Sequence, residues 1–227
     1  MKPTLLLLHG ALGSEKQFQS IKPILAEDFE LHHFNFEGHG GRPRGESFSI
    51  AHFASNTHAY IQAHQLAPVH IFGYSMGGYV ALQLALRHPE LVRHIITLGT
   101  KFDWTPESAT KEVKMLNPTK IKEKVPTYAK LLAEEHAPLD WETIMHDTAE
   151  MMINMGNGEK LSEMELGQIQ TPVTLGLGSE DKMVSEEETQ HANQILPHSL
   201  FLRLEGVPHP IQKADPSQIA DLIKSAF

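Results

Sequence analysis

Apolar residues in this chain are gathered into short runs set well apart. Residues 4–8, 69–72, 94–98, 171–177 and 200–204 each hold about one strand's length of them. The unbroken run at 4–8 predicts a strand covered on both faces, as in a parallel sheet, 69–72 reads as a buried strand, and the others read as further strands. Residues 30–36 alternate loosely and read as a further strand. Helical patterns fill the gaps between the runs. Ser14 and Gln17 have the spacing of a capping box opening a helix to about Ala26. Residues 50–64 predict another helix, and 79–86, apolar almost throughout, one packed on all sides. Strands separated by helices imply βαβ units with right-handed crossovers. The expected fold class is α/β, with a mostly parallel six-stranded sheet flanked by helices.

The rhythm changes between 101 and 170. About 70 residues between two strands is far more than one crossover needs. Trp141, Ile144, Met145, Thr148, Met151, Met152 and Met155 fall at i, i+3, i+4, i+7, i+10, i+11 and i+14, the period of one amphipathic helix. Pro118, Pro126 and Pro138 divide the rest into short helices. Residues 1–100 and 171–227 therefore read as the core, and 101–170 as an inserted helical lid. The methionine stripe reads first as packing between lid and core. Trp104, Trp141, Met145 and Met152 are also candidates for lining an adaptable apolar pocket. Lys111, Lys114, Lys120, Lys122 and Lys124 read as a solvated lid face.

Composition narrows the class of partner. Lysine and arginine number 19 against 28 acidic residues, a net charge of −9. That balance speaks against nucleic acid or an anionic membrane surface as a partner. The absence of cysteine excludes disulfides, cysteine-based zinc sites and thiol catalysis. No apolar run approaches the roughly 18 residues of a membrane span, and Met1-Lys2-Pro3 runs straight into the first strand without room for a signal peptide. A cytoplasmic protein is the expectation. The 15 histidines invite a metal reading, but no His-Glu-x-x-His spacing occurs, and His32 and His33 on one strand point to opposite faces. Neither a metal nor another cofactor is expected.

Chemistry enters at Gly73-Tyr74-Ser75-Met76-Gly77-Gly78, between the 69–72 strand and the 79–86 helix. A serine held in a sharp strand-to-helix turn, with glycines where helix and strand crowd together, fits a nucleophile elbow. The helix N-terminus then offers free N–H groups to an oxyanion. A serine needs a base to take its proton and a third group to orient that base. Among the histidines, His209 alone follows the last strand, in Gly206-Val207-Pro208-His209. Loops at the C-terminal ends of parallel strands are where such sheets place reacting groups. For the acid, Asp181 in Gly178-Ser179-Glu180-Asp181 follows the 171–177 strand; Glu180 and Asp103 compete with it.

With these residues in view, the chain resembles an α/β-hydrolase fold enzyme with a helical cap, over nearly its whole length. The resemblance rests on His9-Gly10 after the first strand, Gly38-His39-Gly40 after the second, the Ser75 turn, Gly178-Ser179-Glu180-Asp181 and Gly206-x-x-His209. It implies Ser75 as nucleophile, His209 as general base and then acid, and Asp181 as its orienting partner. It also implies an oxyanion hole from the backbone N–H groups of Ala11 and Met76. Tyr74 is a further candidate for contact with substrate. Relative to larger members the usual first two strands are missing, which leaves six. His9 and His39 read as loop-shaping residues.

The expected function is hydrolysis of small to medium carboxylic esters, thioesters included, through an acyl-enzyme, on a small-molecule acyl substrate. A serine at the elbow argues against haloalkane dehalogenase and epoxide hydrolase chemistry, whose relatives use a carboxylate. Carbon–carbon bond hydrolases and a lyase forming a menaquinone precursor share the serine triad and stay open as alternatives. Their carboxylate substrates call for arginine, and none stands between Arg93 and Arg203, although Arg42 and Arg44 could supply one. A hydrolase-fold ligand receptor with little turnover is the alternative from another class. No feature specifies an oligomer.

Overall fold

The computed structural model describes residues 2–66 and 68–226. Among them, strands β1 (Thr4–Leu8), β2 (Glu30–His33), β3 (Val69–Tyr74), β4 (Val92–Leu98), β5 (Val173–Glu180) and β6 (Ser199–Pro208) form one sheet. Their order is β2-β1-β3-β4-β5-β6, and every pairing is parallel. Strand residues alternate between the two faces. In β1, Leu6 and Leu8 enter one core, whereas Leu5 and Leu7 enter the other. All four are fully buried, which is why the run reads as continuous rather than alternating.

Helices cover both faces. α1 (Lys22–Leu25) and α10 (Pro216–Lys224) lie on one side, contributing Leu25, Ile219, Leu222 and Ile223 to the core there. α2 (Ile50–Ala63) and α3 (Met76–Arg87) cover the other, with Phe53, Ile61, Val80 and Leu84. Between β4 and β5 come α4 (Pro106–Val113), α5 (Pro118–Lys124), α6 (Pro126–His136), α7 (Trp141–Asn154) and α8 (Glu163–Gly167). α4, α5 and α6 each open on a proline, whose missing N–H costs nothing at a first helical position. α7 opens on the Asp140 carboxylate, which accepts from the Glu142 and Thr143 N–H groups. α9 (Glu186–Ile195) follows β5. No helix of the described residues is long and apolar enough to cross a membrane.

Two local expectations are corrected. The helix expected from Ser14 to Ala26 is a 3-10 turn, Glu15–Phe18, followed by the single turn of α1. Ser14 caps by accepting from the Lys16 N–H at 3.1 Å, but Gln17 does not close a capping box. Its side-chain oxygen accepts from the Gly10 N–H at 2.9 Å instead. The second strand stops at His33 rather than Phe36. Beyond it the backbone turns to other partners: the Phe36 N–H donates to His9 Nε2 at 3.1 Å and the Glu37 N–H to Asn56 Oδ1 at 3.0 Å. Phe34 and Phe36 fold into the core there.

β5 and β6, by contrast, run past their apolar cores, and the extension matters. Glu180 pairs with Pro208 at the end of the ladder. The next residue on each strand, Asp181 and His209, therefore leaves the sheet beside the other.

Candidate active site

Ser75 stands between β3 and α3 with φ 51° and ψ −115°, a backbone region that a residue with a Cβ rarely occupies. Its conformation is over-determined by bonding. The Ser75 N–H donates to the Leu98 carbonyl at 2.8 Å, and the Thr100 hydroxyl donates to the Ser75 carbonyl at 3.0 Å. Crowding around the turn explains the flanking glycines. A Cβ on Gly77 would lie 2.1 Å from the Leu8 carbonyl oxygen, and one on Gly73 2.4 Å from the Gly78 backbone. The close approach sets the N-terminus of α3 directly at Ser75, the end at which a helix leaves its first N–H groups without i−4 partners.

The loop after β1 lies over the same point. A Cβ on Gly10 would come within 3.3 Å of Ser75 Cβ. Leu12 has φ 54°, and a turn bond runs from the Gly13 N–H to the Gly10 carbonyl at 3.2 Å. Ala11, Ser75 and Met76 line one cavity of about 40 Å³, closed over by Ile50, Tyr79, Lys101, Trp104, Met151, Met152 and Met155. A larger groove of about 460 Å³ lies at α8 and α9, lined by Leu161, Leu166 and Ile195 among others, and does not reach Ser75, Asp181 or His209.

Asp181 and His209 meet as the strand register requires. His209 Nδ1 is 2.7 Å from Asp181 Oδ2, and the two side chains are 11% and 2% exposed. The other carboxylate oxygen accepts the Met183 and Val184 N–H groups at 2.8 and 2.9 Å. With Oδ1 so occupied, Oδ2 accepts from imidazole Nδ1–H, the tautomer in which a neutral ring offers Nε2 as an acceptor. Tyr74 donates its hydroxyl to the His209 carbonyl at 2.8 Å, tying the histidine loop to the residue before Ser75. Burial pushes the Tyr74 phenol upward, so it remains a donor. Of the competing acids, Glu180 precedes Asp181 on the strand but is exposed, and Asp103 is exposed too, its N–H donating to Glu188 Oε1 at 3.2 Å.

Of the pocket candidates, Trp104 and Met152 line the cavity. Trp141 and Met145 do not; with Leu132 they form a separate cluster at the other end of α7. The Tyr74 ring packs in the core on the opposite face of the sheet. Met151 and Met155, from the same stripe, take the places expected of Trp141 and Met145. Lys101, unremarked in the sequence, also lines the cavity, and its position just past β4 was the available signal. Its ammonium lies 3.6 Å from Glu112 and 3.7 Å from Glu188, so two carboxylates offset its charge. Arg42 and Arg44 are engaged as well, with Glu37 at 3.2 Å and Asp147 at 2.7 Å.

His9 is fully buried, which lowers its pKa to about 4. Its Nε2 accepts from the Phe36 N–H and its Nδ1 lies 2.9 Å from the Gly10 carbonyl, so the ring is neutral with its proton on Nδ1. It shapes the loop rather than carrying protons. His39 is buried against Phe48. His33 bonds Glu15 and His32 faces Tyr60, on opposite sides of β2. Among the described residues no three His, Asp or Glu side chains gather as a metal-ligand set.

Comparison with known proteins adds the lineage. Residues 3–135 match a family model described as alpha/beta hydrolase fold. The pimeloyl-[acyl-carrier protein] methyl ester esterase of Aeromonas hydrophila is 28% identical, over 98% of this chain and 94% of its own. A protein provisionally named a carbamate hydrolase, RutD of Pseudomonas syringae, is 25% identical over 94% of this chain and 89% of its own. Among solved structures, NosK from Streptomyces actuosus superposes with a TM-score of 0.85 at 16% identity, covering 99% of this chain and 97% of NosK. At that identity the likeness is one of fold.

Proposed function

The chain belongs to the α/β-hydrolase fold family, and on that footing we propose that it is a serine hydrolase of carboxylic esters, thioesters included, acting through an acyl-enzyme. The observation that carries this reading is the hydrogen-bonded Asp181–His209 pair, tied through the Tyr74 hydroxyl and the His209 carbonyl to the residue before the strained Ser75 turn. Ser75 is the nucleophile, His209 the base and Asp181 the group that holds the imidazole tautomer. Ala11 and Met76 supply the oxyanion N–H groups, and residues 101–170 form the cap that closes the site.

The steps follow from this arrangement. Ser75 Oγ attacks the acyl carbon as His209 Nε2 takes its proton, and the carbonyl oxygen gains charge between the Ala11 and Met76 amides. The imidazolium, stabilised by Asp181, returns that proton to the leaving alcohol or thiol as the tetrahedral intermediate collapses. Water then adds to the acyl-Ser75 ester, giving its proton to His209, and the carboxylic acid departs as Oγ is reprotonated. Binding is consistent with a neutral, apolar acyl group. The cavity walls are mostly methionine, tryptophan and isoleucine, and the nearby cations already have carboxylate partners. The pairings of Arg42 with Glu37 and of Arg44 with Asp147 favour esters over carbon–carbon substrates, whose carboxylates are usually gripped by arginine. The methyl ester esterase among the relatives points the same way.

A series of p-nitrophenyl esters, acetate to dodecanoate, followed past one turnover on the wild type and Ser75→Ala, tests the reading. Repeated turnover lost in the mutant supports it. A single burst would mark a ligand receptor instead, and indistinguishable traces would refute it.

A further inference from the structure

The chain holds a buried trio of histidines that the mechanism above does not use. His9, His39 and His136 are each 0% exposed. The His9 and His39 rings are 5.1 Å apart, and those of His39 and His136 6.0 Å. His9 and His39 belong to the loops after β1 and β2, but His136 comes from the last residue of α6, in the inserted segment. Its ring joins both loops. The Gly40 N–H donates to Nδ1 at 3.0 Å, and Nε2, which then carries the proton, donates to the Leu12 carbonyl at 3.2 Å.

We infer that His136 is a positioning residue for the reaction: by bridging Gly40 and Leu12 it seats α6 and fixes the loop that presents the Ala11 N–H to the oxyanion. The inference rests on the serine-hydrolase reading of the preceding subsection.

Several independent contacts converge on this seat. A Cβ on Gly41 would stand 2.6 Å from the Ala137 carbonyl oxygen, so the residue after His136 lies hard against the glycine loop. Ser14 donates its hydroxyl to Glu135, and Lys16 lies 3.8 Å from the same carboxylate. The Leu132–Trp141–Met145 cluster packs on the Leu12 side chain. Leu12 itself has φ 54°, a conformation that leucine keeps only where its surroundings impose it. Its carbonyl is the atom that His136 holds, one residue beyond Ala11.

Only a neutral histidine does both jobs. Lysine and arginine cannot accept from Gly40, and a hydroxyl is too short to span the loops. Burial lowers the His136 pKa, which keeps the ring neutral and the acceptor available. The groups around it are His9, His39, Glu135 and Lys16. It follows that the oxyanion loop takes its reacting shape only with α6 docked, so closure of the cap and readiness of the site are one event.

The two bonds can be removed separately. His136→Gln places an amide N–H where Nε2–H reaches Leu12; His136→Asn places an oxygen where Nδ1 receives the Gly40 N–H; His136→Phe keeps the shape and neither bond. Oxyanion donors act over a few tenths of an ångström, and misplacement by about 1 Å costs roughly 100-fold. With p-nitrophenyl acetate, kcat of the Phe and Asn variants should fall about 10- to 100-fold, with KM within about threefold of wild type. The Gln variant should keep kcat within about fivefold, although its melting temperature is no higher than that of the Asn variant. Equal losses in Gln and Asn, or losses that simply follow melting temperature, would overturn the inference, as would a folded Phe variant with unchanged kcat. Should the Phe variant fail to fold, the Gln and Asn pair decides. A wild type that matches Ser75→Ala would instead sink the hydrolase reading and this inference with it.

Discussion

Replacing Asp181 by asparagine probes the site at the point where the geometry leaves least freedom. The side chain is 2% exposed, and each carboxylate oxygen has its own partner. Oδ1 receives two backbone N–H groups at 2.8 and 2.9 Å. An asparagine must keep its oxygen there. Turning its NH2 towards those donors would set N–H against N–H and cost both backbone groups their acceptor. The NH2 is thereby directed at His209 Nδ1, 2.7 Å away in the native pair. Imidazole can then only accept at Nδ1, so its proton moves to Nε2, the nitrogen that must take the Ser75 proton. The proposed base is then present but in the wrong tautomer. A loss of about 10⁴ in kcat is expected, near 5.5 kcal/mol of transition-state stabilisation. The assay is kcat for p-nitrophenyl acetate between pH 6 and 9, with melting temperature as a control for folding. Asp103→Asn and Glu180→Gln, both exposed positions, should each change kcat by less than about threefold. A loss below tenfold in Asp181→Asn, or an equal loss in either control, would refute the assignment and the tautomer argument together.

Gly77→Ala should unfold more easily, because its Cβ would meet the Leu8 carbonyl oxygen at 2.1 Å and its carbon at 2.5 Å, both backbone atoms that no rotamer can move. A cost of about 3 kcal/mol, roughly 6–12 °C in melting temperature, is expected by calorimetry; a drop under about 2 °C would contradict the packing described. Met151→Ala removes a cavity wall that is 3% exposed, so stability should fall by about 2–5 kcal/mol while the preferred p-nitrophenyl ester lengthens by about two carbons. An unchanged chain-length optimum would remove Met151 from the acyl wall. Stability should also decline on mild acidification. His9 and His70 are held neutral with pKa values lowered to about 4, and His39 and His136 are lowered too, mainly by burial. The unfolded chain therefore binds more protons below its histidine pKa of about 6.5. This stability is complete above that pH and drains away as pH falls towards 4, with His9 alone accounting for about 3 kcal/mol. Urea midpoints at pH 7.5, 6 and 5 test it, and a flat profile would count against the buried neutral trio.

What the sequence revealed of the fold follows from the physics of a doubly covered parallel sheet. Strands buried on both faces need unbroken apolar runs, so each of β1, β3, β4 and β5 announces itself without reference to the rest of the chain, whereas β6 is a half-exposed edge strand. Ser75 was legible for a related reason: the turn needs glycine on both sides, and steric need leaves a local mark. His209 and Asp181 were legible by position, since each follows a strand end on one edge of the sheet. Which of Asp181, Glu180 and Asp103 meets His209 was not local. It is set by the Glu180–Pro208 register, a pairing between residues far apart in sequence. Gln17 misled for the converse reason. Its spacing from Ser14 suits a capping box, but the Gly10 N–H offers a competing donor that only the folded loop brings within reach.

The pocket was the least legible part, and the cause lies in what periodicity measures. The stripe from Trp141 to Met155 correctly identifies one buried face of α7, yet a face has length as well as direction. At about 1.5 Å per residue the stripe spans roughly 20 Å, whereas the cavity at Ser75 encloses only about 40 Å³. One end of the helix must therefore lie beyond it. Which end is decided at α6. With His136 bonded to Leu12 and Gly40, α7 begins only a few residues later, so Trp141 and Met145 fall beside Leu12. The helix then runs on over the site, bringing Met151, Met152 and Met155 down at Ser75 and Tyr79. Just past it the Leu161 N–H donates to the Tyr79 hydroxyl at 2.8 Å, fastening the far end to α3. The axial placement of the methionines is thus fixed by two tertiary hydrogen-bonded anchors, neither of which leaves any periodic trace in the sequence of α7 itself.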